Sequence, residues 1–114
     1  KLLDSYCTGI ATLFIEKKLF KKYKFKDRYS IIGDFDLIIR LSIKYKIMSI
    51  QKPLSIYRVH GSNLSLRRID LYIKELKYWL KNNNKILIKY KLNPMGVKYN
   101  LLKLRIKFIF NKFF

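Results

Sequence analysis

Two carboxylates one residue apart, Asp34 and Asp36 in IIGDFDLIIRL, are the first residues in this sequence whose types and spacing could do chemistry. Such a pair has three uses. It chelates a hard cation when both groups converge on it, usually at the loop end of a strand. It supplies a general base when one carboxylate is held rigid at a cleft. It also opens an ordinary helix, where acidic side chains suit the positive end of the dipole. Helical residues two apart point about 200° away from each other, so chelation fails unless Asp34 stands outside the helix and swings back. The local pattern favours an acidic helix start, with Asp34 as N-cap and Asp36 in the first turn. A base at a helix N-terminus is compatible with that same placement.

The elements that would position these groups follow from apolar spacing. Residues 34–45 carry Leu37, Ile38, Leu41 and Tyr45 at helical intervals, with Arg40 and Lys44 on the other side. Ahead of them, residues 11–15 read as a buried strand and residues 16–23 as a short helix with Leu19 and Phe20 inward. Residues 24–33 read as a loop. After them, residues 47–50 and 54–57 are β-rich runs around Gln51-Lys52-Pro53, which predicts two strands and a turn. Residues 58–65 (RVHGSNLS) form a polar loop, with Ser65 placed to cap a helix over 66–81. That helix has Ile69, Tyr72, Ile73, Leu76 and Leu80 on one face, and Asn82-Asn83-Asn84 is expected to stop it. A short helix over 85–90, a break at Pro94-Met95-Gly96 and a basic-apolar tail complete the chain; the tail alternates like a strand over 103–108 but is long enough for a helix, which is the preferred reading. On a helical wheel the tail's basic residues form no single clean face.

Composition bounds the rest. At 114 residues the chain is one small domain, and 50% hydrophobic content gives it material for a core. Lys1 runs directly into LLDSYCTGIATLFI, which reads as the interior of a longer protein. Twenty-six basic residues against seven acidic ones give a net charge of +19. Such an excess suits a polyanion, but abundant Lys, Ile, Asn, Tyr and Phe with one alanine, Ala11, also matches a biased genome. Cys7 is alone, which excludes a disulfide framework within the chain and fits a reducing compartment. No apolar run reaches the roughly 18 to 20 residues of a membrane span, and no secretory signal is visible.

IIGDFDLIIRLS followed by PLSIYRVHGSNLS resembles the C-terminal half of the catalytic domain of glycosyltransferase family 2. Members often carry a D-[YF]-D-L-x-x-R-L block and then a P-L-x-x-Y-R-x-H-x-x-N-x-S block, and both occur here in order. TLFIEKKLF and FKDRY resemble the family's preceding strand, short helix and loop, so the likeness spans about residues 9–79. It implies an α/β, GT-A-type catalytic portion over residues 1–66 and a basic helical extension over 67–114. It also implies transfer of a sugar from a nucleotide-sugar donor to the hydroxyl of a glycan or lipid-linked acceptor, in glycan or cell-surface polysaccharide synthesis. Asp34 then takes the base position of an inverting reaction. Asp36 and Arg40 become acceptor-side or structural residues, their default being a helix-surface ion pair for Arg40. Arg58 is placed near the diphosphate, where its planar fork suits phosphate oxygens. His60, the only histidine, becomes a metal ligand or a phosphate donor, set against the structural role usual for a lone histidine. Asn63 and Ser65 shape the loop and cap the next helix. Gly33 departs from the family, which often has glutamate there.

The divalent cation, magnesium or manganese, and most of the donor site belong in this family to the preceding half. The chain by itself is therefore expected to be inactive. The resemblance and the single cysteine together suggest a cytoplasmic protein, peripheral at the inner membrane face. Two other classes compete. Nine tyrosines and eight phenylalanines among lysines could stack bases in a cationic groove, but these aromatics fall at core-like positions and no nucleic-acid motif appears. Residues 98–114, basic and apolar together, could instead rest on an anionic membrane.

Overall fold

In a computed structural model of the chain, Leu3 and residues 9–113 are described; Cys7 and Phe114, which figure in the expectations above, lie outside the described residues. Among the described residues, a 3-10 turn at Ile10–Thr12 precedes five α-helices: α1 Lys17–Lys22, α2 Gly33–Ser42, α3 Leu64–Arg67, α4 Ile69–Lys89 and α5 Met95–Phe113.

Every regular element among the described residues is helical, which corrects the α/β, GT-A-type expectation. Ala11 falls in the 3-10 turn, where the backbone N–H and the hydroxyl of Thr12 both donate to the Gly9 carbonyl. Residues 47–50 and 54–57 run without helix or ladder. A β-rich sequence becomes a strand only when another strand accepts its backbone groups, and Pro53 removes one donor from the segment. Met48 and Ile56 remain 85% and 96% exposed. Local β propensity was present; a pairing edge among the described residues was not.

Helices α2, α4 and α5 gather around one apolar core. Phe35 and Ile39 of α2 meet Ile69, Ile73, Leu76, Trp79 and Leu87 of α4, and Val97 and Leu101 of α5 close it. Among the described residues, Trp79, Leu37 and Asp36 have fully buried side chains. The Phe35 and Trp79 rings lie 4.8 Å apart in a tilted arrangement. Fully burying such rings contributes a few kcal/mol each, so this ring contact helps hold α2 against α4.

Four local expectations are also corrected. Asp34 does not cap α2; Ile32 holds that position, without a side-chain bond, and Asp34 lies in the first turn. Ser65 lies inside α3, whose N-cap is Asn63. The asparagine run does not end α4, because Asn82 and Asn83 turn their side-chain amides back onto the Tyr78 and Trp79 carbonyls. These i−4 bonds give each amide an acceptor within the helix, so the run continues through it. The stop comes later. Lys91 adopts φ 51°, its N–H donates to the Ile88 carbonyl, and the Leu92 N–H donates to the Leu87 carbonyl. That is a Schellman ending with lysine where glycine is usual. Between α3 and α4, Arg68 grips Asp70 through two 3.1 Å bonds, marking the break that divides the expected helix over 66–81.

Candidate functional site

The sequence PLSIYRVHGSNLS carries few apolar residues after Val59, and it folds as a loop ordered by polar bonds. Asn63 is its organiser. Its N–H donates to the His60 carbonyl at 3.0 Å, and its side-chain amide donates to the Tyr57 hydroxyl at 3.0 Å and to the Arg58 carbonyl at 3.4 Å. The His60 N–H in turn donates to the Asn63 side-chain oxygen. Arg58 and His60 are left exposed on this loop.

Opposite them stands the segment that leads into α2. Ser30 and Ile31 from that segment, with Tyr57, Arg58, His60 and Asn63 from the loop, line an open cleft of about 450 Å³. The structure thus brings Arg58 and His60 together on one cleft. Asp34, three residues beyond Ile31, is half-buried and outside the lining. Its Oδ1 accepts the Phe35 N–H at 2.7 Å, and no bond to Oδ2 is formed among the described residues.

Asp36 and Arg40 do something different. Asp36 is 1% exposed. Its Oδ1 accepts from the Trp79 indole N–H and from Lys26 Nζ, both at 3.1 Å, and its Oδ2 accepts from Arg40 Nε at 2.8 Å. Arg40 reaches on to the Lys24 carbonyl at 2.8 Å. A buried carboxylate is tolerated only with its lone pairs satisfied, and here they are met by two cations and an indole. The hub ties the loop of Lys24 and Lys26, the start of α2 and the middle of α4 into one unit.

Glu75 is the residue that sequence reasoning missed. It is 5% exposed on α4. Its Oε1 accepts the Ser30 N–H at 2.8 Å, and its Oε2 accepts the Ile31 and Ile32 N–H groups at 3.0 and 3.1 Å. Amide donors ahead of a helix have no intrahelical partner, and a carboxylate there satisfies them and faces the positive end of the dipole. One wall of the cleft is therefore fixed by a side chain forty-odd residues away. The available signal was a glutamate bordering the apolar face of α4, one turn before Trp79.

Gly33 is not required by space. A Cβ there would meet Phe25 Cδ1 at 3.6 Å and Tyr29 Cβ at 4.0 Å, which is ordinary contact. As for a metal, no three His, Cys, Asp or Glu side chains converge among the described residues. His60 shares its cleft with a guanidinium and with hydroxyl and amide groups, and with no carboxylate. That donor set suits an anion and does not fit a divalent cation. No helix among the described residues is long and apolar enough to cross a membrane. Compared with protein-family models, curated proteins and solved structures, the chain matches none.

Proposed function

We propose that this chain carries the acceptor side and part of the diphosphate site of an enzyme that transfers sugar from a nucleotide-sugar donor. The observation that carries this is the cleft in which Arg58 and His60 face the segment running directly into the helix of Asp34. In this reaction the Asp34 carboxylate takes the proton of an acceptor hydroxyl as its oxygen attacks the anomeric carbon in line. The bond from that carbon to the diphosphate breaks, and configuration inverts. Arg58 offers its fork to the departing phosphate oxygens, and His60 donates a further hydrogen bond. Asp36, Arg40 and Glu75 act by holding the start of α2 still, since a misplaced base loses rate steeply.

The sugar ends on a hydroxyl of a glycan or lipid-linked acceptor, in the cytoplasm. Any magnesium or manganese accompanying the diphosphate is assigned to residues outside the Arg58–His60 loop, and so is the rest of the donor site. The chain alone is accordingly expected to bind diphosphate without turning a donor over. The test is a titration of this chain with nucleoside diphosphates, followed by NMR at His60. Saturable shifts that vanish in Arg58→Ala support the proposal. Shifts that persist in Arg58→Ala, or that inorganic sulfate reproduces at the same concentration, would sink the diphosphate role.

A further inference from the structure

α5 is apolar on two opposite faces, and only one of them is used by the fold. Val97, Leu101 and Leu104 pack against the core. At about 100° per residue, Met95, Tyr99, Leu102, Ile106, Ile109 and Phe113 fall within roughly 40° of a single direction on the other side. All six face solvent, from 46% exposed at Ile106 to 70% at Phe113. The same wheel sets Lys98, Arg105 and Lys112 along one border of this outer stripe, and Lys103 and Lys107 along the other. Lys103 Nζ lies 4.8 Å from the centre of the Tyr99 ring, with its stem beside the stripe. The helix has no acidic residue. An outer stripe between two cationic borders also explains why the basic residues make no single face.

We infer that α5 lies flat on an anionic membrane surface, its outer stripe at the acyl boundary and its two rows of cations on the lipid phosphates. Apolar burial and attraction to anionic headgroups act together in this geometry, and long basic side chains reach the headgroups from either border. A second copy of the chain is the less suitable occupant. Two such stripes face to face would bring like charges together along both borders, whereas anionic headgroups neutralise both. This docking does not depend on the sugar-transfer proposal.

The test is flotation of the full chain with vesicles of equimolar phosphatidylglycerol and phosphatidylcholine, and with phosphatidylcholine alone. Binding is expected for the anionic vesicles. Ile106→Ser with Ile109→Ser leaves net charge unchanged, alters only exposed positions, and should weaken binding on the order of tenfold per isoleucine. A second variant, Lys98→Gln with Lys107→Gln, removes one cation from each border and should weaken it roughly fivefold per lysine. Equal binding by the isoleucine variant and the parent would overturn the inference, because bare charge would then suffice. So would a parent dimer, seen by sedimentation, that the isoleucine variant dissolves while neither protein binds vesicles.

Discussion

Replacing Glu75 by alanine removes the acceptor of three backbone N–H groups at once. The consequences differ by site. Ser30 is exposed and Ile31 half-buried, so their amides can turn to water. Ile32 is 3% exposed, and its N–H is stranded unless the segment moves. A hydrogen bond to a charged group contributes about 1.5 to 3 kcal/mol, and a stranded buried donor costs about 1 to 3 kcal/mol. Allowing for the two amides that re-solvate, Glu75→Ala should lose about 3 to 5 kcal/mol, a large part of the 5 to 15 kcal/mol typical of a domain. Glu75→Gln keeps one acceptor oxygen and should lose about half as much. Urea denaturation reads the loss as a lower midpoint at unchanged slope. Hydrogen exchange reads the mechanism, since protection at the Ser30, Ile31 and Ile32 amides should fall far more than at α5. A loss under about 1 kcal/mol with exchange at these three amides unaltered would refute the carboxylate as their anchor.

The Asp36 hub should show coupling: Asp36→Asn and Trp79→Phe each destabilise, and a double-mutant cycle in urea should give an interaction of about 1 to 3 kcal/mol, zero coupling contradicting the 3.1 Å bond. Lys91→Gly should raise stability by about 1 kcal/mol by relieving the left-handed backbone at φ 51°, and a lower thermal midpoint would count against the Schellman ending. Burial, and next the Asp36 carboxylate, raise the Tyr29 hydroxyl above the ordinary tyrosine value of 10.0. The folded state thus holds that proton longer than the unfolded one, so the stability is complete below pH 10.0 and lost as pH rises through the folded value. Tyr29→Phe should flatten this alkaline decline, and an unchanged slope above pH 10.0 would contradict it.

What was legible in the sequence divides by the range of the interactions involved. α1 and α2 were readable because apolar spacing at helical period is a local signal, whereas α5 alternates basic and apolar residues over 103–108 as a strand would, and it starts at Met95, inside the expected break. The β-rich runs at 47–50 and 54–57 were misread because a strand is defined by its partner, and propensity carries no information about one. Asn82–Asn84 look like a stop only until their amides are seen to bond backwards within the helix. Lys91 hid the real stop, since nothing in a lysine announces a left-handed residue. Asp36 and Arg40 were legible as a pair at helical spacing, but the indole and the lysine that complete the hub come from elsewhere in the chain. Glu75 was missed for the same reason: its place beside the apolar face of α4 was visible, but its three donors are main-chain groups of a distant segment.

The most direct measurement concerns Asp34 itself. With the proposed donor-binding portion joined to this chain, and a nucleotide-sugar donor and acceptor that support turnover, kcat is compared for the parent and Asp34→Asn alongside donor affinity. If Asp34 is the base, kcat falls by about two to four orders of magnitude while donor binding stays intact. Undiminished kcat in Asp34→Asn would contradict that role and, with it, the proposed sugar transfer.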